Sequence, residues 1–442
     1  MLLRRRPLRS PFLRAECYTS GMTRWRRLPA ALAAGCVVLA LSGCPVGEDE
    51  QTPEPTPSAA DLGPARPIDP STDLPAYPGP PASGPPSTGP LTTVRAAIDL
   101  TAATPGVFAR VVAAVATPDG GAFALLTPAD RALPQTLVTV RGDAIAGSVA
   151  LPRVEDVWDV HLSGDGSVLV VGNLGDDGYG LRVVDPATGA VRTTVLLPAR
   201  DDLHFSIGRS ALHPASGRLH VVLSVATDAG VREALLAVDV ATGRVVAERD
   251  LADDVAASSA YPLADQLAGL LPRPDGGVTL VFDASPTQVP QDRIPTLLRY
   301  DGDLEPVGGA ARVTGSSEGA ETQSIAGAAD GTVFLLVAVE DGSWLLAVPD
   351  GGGAGPLLAQ LEDRVYGYAL LVEPAQVWAL LPSPVGVRAV DLTTGEALLP
   401  EGLGCYHRLD VRALLPAASG ALAFGECDSP REDTQFLWFL GP

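Results

Sequence analysis

An all-β fold, a seven-bladed β-propeller of four-stranded antiparallel blades, is predicted by three features of the sequence. A turn signal recurs seven times at the spacing of blades, and the segments between turns alternate or run apolar as strands do. The last copy also lacks a strand that an unmatched strand near residue 93 can supply.

The clearest copy covers 157–197. In 157–162, Trp158, Val160 and Leu162 alternate with Asp159 and His161, the period of a strand with one buried face. A turn at 163–166 leads to Val168–Val171, a continuous β-branched and Leu run suited to a strand buried on both sides. A third strand over 181–185, a turn over 186–189 and a fourth strand over 191–197 complete it. A lone sheet with two apolar faces cannot bury both, so copies of it must stack on either side.

The first turn recurs at 118–120, 164–166, 215–217, 274–276, 329–331, 374–376 and 418–420, with third positions 46, 51, 59, 55, 45 and 44 residues apart. The second recurs as Asp-x-x-Thr-Gly at 185–189, 239–243 and 391–395, and in degraded form at 301–303 and 349–351. There the Asp can accept backbone N–H bonds and the Gly can take positive φ, so these residues are structural. The seventh copy ends after its third strand, 436–440, while 93–100 reads like a fourth strand. Joining the two closes the ring and removes the exposed seam.

The template resembles the YVTN-type repeat of bacterial seven-bladed propellers. The matching pieces are an apolar strand ending in Asn (169–173), a Gly/Asp-rich loop (175–180), a Val-Val-Asp strand end (183–185), Thr188-Gly189, and Val-x-x-Thr (191–194). The match is good in blades two, three and six and poor elsewhere. That family is functionally mixed, so the resemblance implies a fold across 93–442 and no ligand.

Ahead of the body, Met22 opens a basic stretch, then a dozen apolar residues, then Leu41-Ser42-Gly43-Cys44. The apolar run is too short to span a membrane and suits an export signal. Its end resembles the lipobox of bacterial lipoproteins, which implies cleavage before Cys44 and lipid on that Cys. Residues 1–43 are therefore expected to be a signal region, with translation starting at Met22. Residues 44–92 are expected to be the lipidated Cys and a disordered tether, because 14 Pro between 45 and 90 remove the donors a sheet needs. In extended polyproline geometry that stretch reaches on the order of 100 Å. The expected address is the cell envelope, outer membrane or surface.

From Cys44 onward there are 23 Arg, no Lys and 51 acidic residues, a net charge of −28. Such a field repels nucleic acid and anionic lipid. Acidic pairs (155–156, 176–177, 201–202, 253–254, 340–341, 362–363, 432–433) fall in loops expected on one face of the ring. Such a face could bind a cationic partner or Ca²⁺, yet no loop has the spacing of a dedicated Ca²⁺ site. Trp158, Phe205, Tyr261, Tyr366, Tyr406 and His407, with Phe108 and Tyr368, lie in or just after the same loops and are candidates for a ligand platform or for packing between blades. The five His include no His-x-x-x-His pair, and no Cys-x-x-Cys, phosphate loop or dinucleotide fingerprint occurs, so no catalytic, cofactor or metal residue is assigned. With Cys17 and Cys36 in the signal region and Cys44 lipidated, Cys405 and Cys427 remain as a candidate disulfide in an oxidising compartment.

These features describe an anchored propeller that binds or assembles a protein or small ligand on its acidic face. The alternatives are a propeller enzyme, lactonase- or dehydrogenase-like, and a purely structural surface protein. Convergent carboxylates and His at the ring axis would favour the enzyme.

Overall fold

The computed structural model describes residues 93–197 and, apart from short connecting stretches, 206–441. They form seven four-stranded antiparallel sheets, six of them built from four consecutive strands. The side chains described belong to six of these; for the sheet over 369–398 only the strands and their pairing are described. The chain is an all-β propeller of four-stranded antiparallel blades.

The second sheet follows the template: Asp156–Leu162, Val168–Asn173, Tyr179–Val184 and Val191–Leu196. Its third strand begins two residues earlier than the sequence suggested, after a short 3-10 turn at Gly175–Asp177. The turn signals act as their chemistry demands. Asp165 Oδ1 accepts the Ser167 N–H at 2.9 Å, and Gly166 takes φ 81°. Asp185 Oδ1 accepts the Ala187 N–H at 2.9 Å. Gly189, at φ 72°, also lies so close to the preceding sheet that a Cβ would come within 2.6 Å of the Ala150 carbonyl oxygen. The Thr-Gly turn is thus a point of contact between blades as well as a reversal. In the degraded turn of the fourth sheet, Leu304 takes φ 66°, the one non-glycine residue at positive φ among the described residues.

Burial gives the radial order. Second strands such as Val278–Ala284 and Val333–Val339 are buried throughout. Fourth strands such as Arg244–Asp250 alternate between exposed and half-buried. First strands, including Asp156–Leu162 and Glu321–Gly327, are mostly half-buried. Each first strand touches the first strand of the next sheet, around to Arg408–Ala417 against Ala109–Ala116. The first strands therefore line the axis of a closed ring.

The core lies between sheets. Leu169 and Leu181 of the second sheet pack with Leu219 and Leu236 of the third, and Val281 and Leu297 of the fourth with Leu335 and Leu346 of the fifth. Each such Leu contributes roughly 1.5–3 kcal/mol by leaving water. Strand Thr93–Asp99 joins Thr434–Gly441 antiparallel, with Thr93 opposite Gly441 and Asp99 opposite Phe436. The last sheet thus takes its fourth strand from the start of the body.

Candidate ligand site on the ring axis

The first strand of the second sheet carries a bulge. Val157 pairs with Gly172 and Asp159 with Val171, leaving Trp158 between them without a partner. The same irregularity leaves Val112, Ala268, Gln323 and Arg412 unpaired in the first, fourth, fifth and last sheets. In the first, second, fourth and fifth sheets the residue that follows, facing the buried second strand, is Ala113, Asp159, Gly269 or Ser324. Among the described residues only the second sheet places a carboxylate there, and His161 two residues on shares its side of the strand.

Opposite them stands Ser210 on Ser206–His213, the first strand of the third sheet. Asp159 Oδ2 accepts the Ser210 backbone N–H at 2.6 Å and lies 3.0 Å from its hydroxyl, and His161 Nε2 lies 2.8 Å from the same Oγ. An ionised carboxylate has no proton to give, so the Ser210 hydroxyl donates to Asp159. Ser210 Oγ is then left to accept, and His161 must carry its proton on Nε2. Asp159 Oδ1 and His161 Nδ1 have no partner among the described residues, and both residues are half-buried.

Burial pushes the Asp159 carboxyl up from 3.8 to about 6, against the opposing pull of Arg209 and of the two Ser210 donors. Burial alone pushes His161 down from 6.5 to about 4. At neutral pH the site therefore holds a carboxylate poised near its titration range beside an uncharged imidazole.

Trp158 is drawn into packing. Its ring stacks on Tyr179 at 5.5 Å and 18° and lies against Gly208, where a Cβ would come within 2.1 Å of Cε3. The expected single buried face of Trp158, Val160 and Leu162, with Asp159 and His161 turned to water, does not hold, because the bulge breaks the alternation and both polar side chains face the neighbouring blade. Phe108 is exposed, with the Arg110 guanidinium 5.7 Å from its ring centre. Phe205, Tyr261, Tyr366, Tyr368, Tyr406 and His407 lie outside the described residues, as do Cys44 and Cys405. Cys427, in strand Gly420–Asp428, is disulfide-bonded.

Several of the acidic pairs are engaged locally. Asp253 and Asp254 lie in a short helix, Ala252–Ala256, rather than a loop. Asp254 accepts from Arg249 Nε at 2.8 Å and from the Tyr300 hydroxyl at 3.0 Å. Asp177 lies 3.7 Å from Arg182. Among the described residues no three His, Cys, Asp or Glu side chains gather as a metal site would require.

No family model matches the sequence, and no curated protein is similar to it. Solved structures that resemble it include the Dos1 propeller, at 11% identity and TM-score 0.45, covering 75% of this chain and 79% of that one. The polysaccharide lyase Uly1 matches at 9% and 0.48, covering 75% and 90%. A putative oxidoreductase (glucose dehydrogenase) from Thermus thermophilus matches at 15% and 0.41, covering 65% and 98%. At such identities and TM-scores these likenesses carry no argument about this chain. The assignment of a propeller rests on the seven sheets and their ring of first strands.

Proposed function

We propose that this protein is an envelope lipoprotein, anchored through Cys44 and held off the membrane by the Pro-rich tether, whose seven-bladed, YVTN-like propeller binds a small ligand at the axis between its second and third sheets. One observation carries the binding role: Asp159, Ser210 and His161 converge from two blades at a position where the equivalent residues of other blades are Ala113, Gly269 and Ser324, and two of their polar atoms have no partner among the described residues. A carboxylate also joins the fourth and fifth sheets, where Asp283 accepts the Thr322 N–H and hydroxyl, but there no imidazole shares the hydroxyl among the described residues.

The Asp159 carboxyl near 6 is the observation that favours an enzyme as second reading, since that value suits a general base close to neutral pH. Binding is preferred because Ser210 is buried, so its hydroxyl, although hydrogen-bonded to the Asp159 carboxylate, is not presented to a substrate as a nucleophile would be.

A thermal-shift screen of the full chain against polyols, organic acids and amines, repeated with Ser210→Ala, tests the reading. Compounds that raise the melting temperature of the parent and not of the variant support an axial site; equal shifts in both, or none in either, overturn it. For the anchor, Cys44→Ala should leave an unlipidated, uncleaved or mislocalised precursor, because acyl chains contribute about 0.8 kcal/mol per buried CH₂ to stable anchoring. Unchanged mass and partitioning would remove the lipid from the account.

A further inference from the structure

We infer that the axial site takes a small organic cation presenting N–H donors, an alkylammonium or a guanidinium, and this rests on the axial site proposed above. The argument is one of hydrogen-bond accounting. Ser210 spends its backbone N–H and its hydroxyl proton on Asp159 Oδ2, and its oxygen then accepts from His161 Nε2. Every proton of the cluster is thereby turned inward. The two atoms left without a partner among the described residues, Asp159 Oδ1 and His161 Nδ1, are both acceptors.

Two acceptors and no donor select against an anion, which would find only lone pairs, and favour a ligand that brings N–H groups and positive charge. The two side chains that carry them meet on Ser210 Oγ, Asp159 Oδ2 at 3.0 Å and His161 Nε2 at 2.8 Å, so one ligand with several N–H groups can meet both. The charge environment agrees. From Cys44 onward the chain carries 51 acidic residues against 23 Arg, a field that concentrates cations near a concave mouth. Of the cationic side chains on the first strands to either side, Arg110 lies against the Phe108 ring and 3.9 Å from Glu426. Arg209, exposed on the strand that carries Ser210, acts on the Asp159 carboxylate, so a cationic ligand shares that charge with it.

Ligand-observed NMR on the full chain tests the class, with butylammonium and methylguanidinium as cations, glucose and inositol as neutral polyols, and acetate and gluconate as anions. The expected result at pH 7.5 is binding of the cations alone, weakened at least tenfold by Asp159→Asn and again in the parent at pH 5. Binding of polyols or anions that Asp159→Asn abolishes, without binding of cations, overturns the class and leaves the axial site standing. No binding by any probe overturns both. ¹⁵N spectra of the imidazoles give a separate reading: His161 should carry its proton on Nε2 at pH 7.5, and a proton on Nδ1 would place a donor at the mouth and overturn the accounting.

Discussion

Thr93 donates its hydroxyl to the carbonyl of Gly441 at 3.1 Å, joining residues 348 positions apart. The contact sits at the outer end of the pairing that completes the last sheet, and behind it Ile98 and Leu100 are buried with Val111, Phe424 and Leu437. Deleting 93–100 removes a strand and two core side chains, exposing the edge of Thr434–Gly441. The expected loss is at least 3–6 kcal/mol, about 1.5–3 for each side chain, with aggregation through the bared edge. Deleting 45–90 should leave the melting temperature unchanged, since that stretch has no core residues to give. Equal melting temperatures for the parent and the 93–100 deletion would refute the closing role.

Gly208 is the counterpart of Trp158 across the second and third sheets. A methyl group there would collide with the indole, at 2.1 Å from Cε3 and 2.2 Å from Cζ3, so Gly208→Ala must displace a ring that Tyr179 holds from its other side. Overpacking of this kind costs about 1–3 kcal/mol. Combining it with Trp158→Leu should cost less than the two changes summed, because the collision is then gone. Strict additivity in urea unfolding would mean that the two residues do not meet in solution.

The blades were legible because their determinants are local. A turn needs an acceptor and a glycine within five residues, and Asp185 with Gly189, or Asp239 with Gly243, supply both where the sequence shows them. Closure was legible because a missing strand and a spare one are both visible in the pattern. The axial cluster was not, because Ser210 lies 49 residues from His161 and 51 from Asp159, and the bulge at Trp158 shifts which side each residue presents. One signal was available. Alignment of the first strands on their shared turn puts an acid at Asp159 where the first and fourth sheets have Ala113 and Gly269, a departure that burial alone does not call for.

Cys427 lies opposite Leu409 and Thr434 in the last sheet. We expect its disulfide partner to be Cys405, which precedes strand Arg408–Ala417 by three residues. That bond closes a loop of about 22 residues, worth roughly 3 kcal/mol by the loss of chain entropy in the unfolded state. It would tie together the first two strands of the one sheet whose fourth strand comes from elsewhere. Alkylation of the denatured chain without reductant should leave both Cys unmodified, and Cys405→Ser should free Cys427 for a single adduct. Adducts on both in the unreduced parent would exclude the bond.

Four titratable groups, Asp283 and His220 buried and Asp159 and His161 half-buried, make opposing contributions to stability between pH 4 and 6.5. Asp159 and Asp283 are raised by burial to about 6, so the folded state takes up their protons before the unfolded state does, and their contribution improves as pH falls from 6 toward 3.8. His161 and His220 are lowered to about 4, so the unfolded state protonates first, and their contribution is lost as pH falls from 6.5 toward 4. Two of each sign largely offset one another. Below pH 4 the carboxylates of Asp165 and Asp275, held low by the Ser167 N–H and the Arg273 guanidinium, lose their stabilising contacts, and acid unfolding follows. His220 offers the cleanest test, because its side chain is fully buried and neither ring nitrogen has a partner. His220→Leu removes a group that must stay neutral to remain folded. The variant should gain about 2 kcal/mol more at pH 5 than at pH 8 relative to the parent, from the share of a shift worth 1.36 kcal/mol per unit that is expressed at that pH. Urea midpoints at the two pH values measure it, and a gain that is the same at both would show that His220 takes up its proton as readily in the folded chain as in the unfolded one.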